Sequence, residues 1–112
     1  MTDSHRSQLQ VVRLPDRRGV QVIGEVDLST RDIWQRALES ATAAAEAPAR
    51  LDLSQLAFID ARGAAMLVEA ARHQPDTAPL MLTRPPAVLC RMLTLLYPAA
   101  AVNIVIEEVE VS

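Results

Sequence analysis

Lysine is absent from this chain: all eleven basic residues are arginine, set against fourteen acids, for a formal net charge of −3. Nucleic-acid binding draws most of its affinity from a clustered positive stripe that neutralises phosphates. Here the arginines are scattered from Arg6 to Arg91 with acids between them, so that footprint is missing. Aromatics are almost as scarce, with Trp34, Phe58 and Tyr97 the only three. Stacking on bases or sugars takes several such faces, so a nucleic-acid partner is not expected. Cysteine occurs once, as Cys90, which rules out an internal disulfide and supplies no thiolate cluster for structural zinc. A reducing compartment is expected, with Cys90 packed as a small apolar residue beside a helix stripe. The three glycines, Gly19, Gly24 and Gly63, form no phosphate-binding loop. No apolar run approaches the ~20 residues of a membrane span, and the opening MTDSHRSQLQ lacks a signal-peptide core. The expectation is a cytoplasmic protein without direct membrane insertion. His5 and His73 lie far apart, and neither pairs a nucleophile with an orienting acid, so no enzyme, cofactor or metal site is expected.

What is present suits one domain. The chain has 112 residues, half of them apolar, and two halves would each be too small to bury a stable core. Residues 1–8 are polar and unpatterned and read as a flexible terminus; residues 9–112 read as the domain. Residues 8–14 and 20–26 are β-branched runs joined by Pro15-Asp16-Arg17-Arg18-Gly19, a hairpin signal. After Asp27 the period lengthens to that of a helix, with Ile33, Ala37, Leu38, Ala41, Ala44 and Ala45 on the inner face. Ser29 is the expected N-cap, with Asp32 completing a capping box and Pro48 closing the helix.

Leu51, Leu53, Leu56 and Phe58 mark a strand over residues 49–54 with an extended exit to Ile59. Asp60 is the next N-cap candidate, and residues 61–72 form a second helix burying Ala64, Leu67, Val68 and Ala71. Residues 73–79 turn, and Leu80, Met81 and Leu82 make a short strand. Thr83 is expected to cap a third helix with Pro85 and Pro86 in its first turn and Leu89, Met92, Leu93 and Leu96 as its core stripe. Pro98 ends it, and Val102, Ile104 and Ile106 begin a last strand that resumes at Val109 and Val111 after Glu107-Glu108. Glu107, Glu108 and Glu110 read as a solvated acidic stretch. The order β-β-α-β-α-β-α-β predicts an α/β fold, a mixed sheet with its helices laid against it.

Gly24-Glu25-Val26-Asp27-Leu28-Ser29-Thr30, followed by Leu51-Asp52-Leu53-Ser54-Gln55-Leu56-Ala57-Phe58-Ile59-Asp60-Ala61-Arg62-Gly63, resembles the STAS family of anti-sigma-factor antagonists. Arg84-Pro85-Pro86-Ala87-Val88 is similar to the family's third-helix entrance, and the likeness covers residues 9 to 97. The resemblance implies a mixed four- to five-stranded sheet with helices packed on one side, and a protein-binding switch whose partner is an anti-sigma factor or serine kinase-like protein. It places the partner-binding face at Asp27, Ser29, Asp60, Ala61, Arg62 and Gly63, with Met66 one turn further on. In the family, an Asp-Ser-Ser-Gly motif at the start of the second helix carries the phosphorylated serine. This chain has Asp60-Ala61-Arg62-Gly63, with Arg62 at the switch position and no hydroxyl to accept phosphate. Arginine does not imitate phosphoserine: it brings a permanent positive charge and only donors. The alternative within the same fold is a STAS subunit of a lipid-transport ABC assembly, supporting an ATPase subunit.

Overall fold

The computed structural model describes residues 8–15, 19–43, 49–98 and 103–107. Two β-branched runs pair as an antiparallel hairpin, β1 (Leu9–Arg13) and β2 (Val20–Val26). A single 3-10 turn (Leu28–Thr30) leads into α1 (Arg31–Ala41), and β3 (Ala49–Asp52) returns parallel to β2. Then come β4 (Leu56–Ile59), α2 (Ala61–Arg72), β5 (Leu80–Thr83), α3 (Ala87–Leu96) and β6 (Ile104–Glu107). The sheet runs β1-β2-β3-β5-β6, with β4 paired to the far end of β2, and every pairing after the hairpin is parallel.

The expected mixed α/β sheet is present, with one more break than the alternation of leucines suggested. The Asp52 carboxylate accepts from both the backbone N–H and the hydroxyl of Ser54, at 3.0 and 2.7 Å. That local turn, an Asx turn, divides the expected single strand into β3 and β4. The order is therefore β-β-α-β-β-α-β-α-β. Gly24 stands where β2 passes from one partner to the other. Its φ is 122°, and a Cβ there would lie 2.3 Å from the Gln8 carbonyl oxygen, so no L side chain fits. The register shifts at the same point, between Gly24 and Glu25.

Cross-strand register sorts the side chains into two faces. Leu9, Val22, Val20, Leu51, Ala49, Leu80 and Leu82 share one face and are buried. The helices supply its cover: Trp34, Ala37, Leu38 and Ala41 from α1, Ala64, Leu67, Val68 and Ala71 from α2, and Leu89 and Leu93 from α3. The alternate positions, including Val12, Phe58 and Val105, stay exposed on the opposite face. The helices thus lie on one side, as expected for a sheet whose second face is wet.

Four local expectations change. The buried stripe of α1 is centred on Trp34, with Ile33 only partly buried, because the helix is rotated to bring the indole inward; Ala44, Ala45 and Pro48 lie outside the described residues. Ser29 does not cap α1. The Thr30 hydroxyl accepts from the Asp27 N–H at 3.0 Å while the Asp27 carboxylate accepts from Ser29 N at 2.9 Å, so Asp27 and Thr30 form the capping box of the preceding turn. Thr83 does not cap α3: it belongs to β5, its hydroxyl donates to Glu107 at 3.1 Å, and Pro86 is the N-cap. Leu96 is 58% exposed rather than core, because the inward positions of α3 are Leu89 and Leu93. Val102, Val109 and Val111 lie outside the described residues, as do Glu108 and Glu110. Cys90 is half-buried on α3.

Candidate partner-binding site

The parallel strands β2, β4 and β5 end at the same edge of the sheet, so the segments that follow them gather there. Val26 and Ile59 are register partners, and the Asp60 N–H donates to the Val26 carbonyl at 3.1 Å. Asp27 and Asp60, the next residues in each chain segment, are brought side by side by that pairing. Each is used first as a cap. The Asp60 carboxylate accepts from the Gly63 N–H at 2.8 Å, satisfying one of the free donors of the first α2 turn. Asp27 accepts from the Ser29 hydroxyl at 2.7 Å as well as from its N–H, which engages that hydroxyl locally.

Gly63 is buried, and its role is close packing. A Cβ there would lie 2.6 Å from Val26 Cγ1 and 2.9 Å from Ile59 Cγ1, so the first turn of α2 sits directly on the ends of β2 and β4. The Trp34 indole N–H donates to the Gly63 carbonyl at 3.0 Å from a fully buried position on α1. Arg31, at the start of α1, reaches the other Asp60 oxygen at 4.0 Å. The α2 entrance is thus held from below by two strands, from one side by Trp34 and from the front by Arg31.

On this rigid corner Ala61 and Arg62 point outward. Both are exposed, and Arg62 makes no hydrogen bond or ion pair among the described residues. Met66, one turn further, is half-buried against the core. All seven expected site residues therefore lie at one corner, but in different roles: Asp27, Ser29, Asp60 and Gly63 build it, while Ala61, Arg62 and the edge of Met66 form its outer surface. Sequence reasoning missed Thr30, Arg31 and Trp34. Thr30 was detectable, since it stands three residues after Asp27 as a capping box requires. Arg31 and Trp34 act across 29 residues in each case, to Asp60 and Gly63, and nothing local announces that.

Among the described residues no group of His, Cys, Asp and Glu is placed to hold a metal ion, and no helix is long and apolar enough to cross a membrane. The corner offers shape, a capped helix start and Arg62, which has no ion-pair partner among the described residues. A one-sided α/β domain that presents such a corner belongs to the class of binding and regulatory modules. Residues 9–97 match the family model described as Mlab, STAS domain, and the chain belongs to the STAS-domain family. The match begins at the first residue of β1 and ends just after α3, leaving β6 outside it. No curated protein matches the chain.

Proposed function

We propose that this chain is a non-enzymatic STAS regulator of the anti-sigma-factor-antagonist type, docking on an anti-sigma factor or serine kinase-like protein in the cytoplasm. Docking is through the α2 entrance and is not switched by phosphate there. The observation that supports this reading is the pairing of an over-determined corner with an unengaged Arg62. Three hydrogen bonds fix the backbone at residues 60–63, from Val26, Trp34 and the Asp60 cap, and Arg31 faces the Asp60 carboxylate, while the arginine at the apex has no partner among the described residues. A cation beside the first free N–H groups of a helix is mildly unfavourable, so the arrangement gains from an acidic surface placed against it.

A second reading has one observation in its favour. The same lack of a hydroxyl at Ala61 and Arg62 suits a permanently docked subunit, such as the STAS component of a lipid-transport ABC assembly, as well as an unswitched antagonist. One experiment addresses the switch directly. Treatment with the anti-sigma kinase and ATP, followed by peptide mass mapping, should leave residues 60–63 unmodified while wild-type complex formation is unchanged. Loss of the complex on kinase treatment would show a phosphate switch elsewhere, at Ser29, Ser54 or Thr83. Stable co-purification with an ATPase subunit in place of a kinase would select the second reading.

A further inference from the structure

Two neighbouring helices of the layer, α1 and α2, leave a groove of about 340 Å³ between them. Leu38, Glu39 and Thr42 line it from α1, and Met66, Glu69 and Ala70 from α2. Gln35 extends the first set and His73 the second, so each helix contributes an i, i+3, i+4, i+7 stripe about 10 Å long, or two helical turns. Leu38, Met66 and Ala70 make the floor apolar, and the exposed Glu39 and Glu69 make the rim acidic. Their charges are lightly engaged. Glu39 accepts from Gln35 of its own helix at 3.0 Å, while Glu69 faces Arg72 at 3.6 Å and His73 at 3.9 Å in pairs more than 60% exposed to water. Such a groove fits one face of an amphipathic helix whose exposed ridge is apolar and basic.

The molecule itself carries a helix of that description. α3 contains no acid. Opposite its buried Leu89 and Leu93 lies a ridge of Val88, Arg91 and Leu95, at i, i+3 and i+7, which again spans two turns. Val88 is 47% and Leu95 71% exposed, so the ridge presents apolar surface on both sides of Arg91. Length, apolar content and charge therefore match between two different faces of one chain.

We propose that the chain self-associates head to tail, the Val88–Arg91–Leu95 ridge of one copy seating in the α1/α2 groove of the next, with Arg91 between Glu39 and Glu69. The surface is distinct from the apex at Arg62. Because ridge and groove are different patches, each copy has one of each to offer, and association extends beyond a single pair unless the rotation closes.

Sedimentation equilibrium on the full chain tests this, at concentrations up to about 1 mM, where small interfaces assemble. Wild type should exceed the 12.2 kDa monomer mass as concentration rises, and less so in high salt. Arg91→Glu and the double variant Glu39→Arg, Glu69→Arg should each weaken association at least about tenfold, as reversal of an interfacial charge does. Mixed one to one, the two variants restore complementary charges at every contact and should recover the wild-type mass. Unchanged thermal midpoints confirm that both are folded. A wild type that stays monomeric throughout, reversals without effect, or a mixture that fails to recover would each overturn the proposal.

Discussion

The entrances to α2 and α3 are built from similar positions, each following a parallel strand at the same sheet edge, yet they are held in opposite ways. At α2 the backbone is locally provided for: Asp60 caps the helix, Gly63 permits contact with Val26 and Ile59, and no residue departs from ordinary dihedrals. At α3 the helix has no side-chain cap, and Arg84 sits at φ 49°, the only non-glycine residue with positive φ among those described. What holds Arg84 there is distant. Its N–H donates to the Glu107 carbonyl at 2.8 Å, while the Glu107 carboxylate takes Arg50 and the Thr83 hydroxyl. One corner is specified by neighbouring residues and the other by a strand that arrives more than 20 residues later. The difference teaches where this fold places its precision. The corner without strain carries the exposed Arg62, and the strained corner ties β6 to the sheet.

The largest effect should come from removing the long-range support of the α2 corner. Trp34→Ala deletes a fully buried ring and its bond to Gly63, and should cost about 3–5 kcal/mol by chemical denaturation. A cost near that of a surface change would show that Trp34 does not anchor the corner. Next, Leu53→Ala, between β3 and β4, should cost about 2–5 kcal/mol, and Leu93→Ala on α3 should lie at the lower end of that range because its site is 8% exposed against 1%. Surface changes such as Arg36→Ala should stay under about 0.5 kcal/mol. Equal midpoints for the three would contradict the assigned core.

Asp60→Ala should cost about 0.5–2 kcal/mol, the range for loss of an N-cap, with part of it from the half-buried Arg31 pair. One change should be a gain. Arg84→Gly relieves an αL conformation unfavourable to an L residue by about 1–2 kcal/mol, offset by the greater freedom of glycine in the unfolded chain, for a net of at most about 1 kcal/mol. A loss of stability instead would mean that the Arg84 side chain, not its backbone, holds the α3 corner.

The same contrast explains what could be read in the residues. α2 is as expected from Ala61 to Arg72, with its four inward residues, because cap, period and stop are all local. The β2 boundaries are as expected for the same reason, being set by Gly19 and by the change of period after Val26. α3 starts later than expected: Thr83 has cap chemistry and stands before two prolines, but its hydroxyl is taken by Glu107, 24 residues on. Ser29 has equally good cap chemistry and yields to Asp27, whose spacing to Thr30 meets the same rule. The convergence of these residues at one corner was legible through resemblance and capping, but their division into supports and outward-facing side chains was not. That division depends on Val26, Trp34 and Arg31 converging from other elements.

The α2 entrance is proposed above as an unswitched docking corner with Arg62 at its apex. Calorimetric titration of the partner isolated on the wild-type chain, against wild type, Arg62→Ser and Arg62→Glu at two salt concentrations, tests it most directly. Arg62→Glu should weaken binding at least about tenfold and Arg62→Ser should lie between, with the difference shrinking in high salt. Thermal midpoints should stay together, or rise slightly for Arg62→Glu, since an acid in the first helical turn is favoured by the backbone dipole. Identical affinities for the three proteins would contradict the claim and leave Arg62 as a solvated side chain.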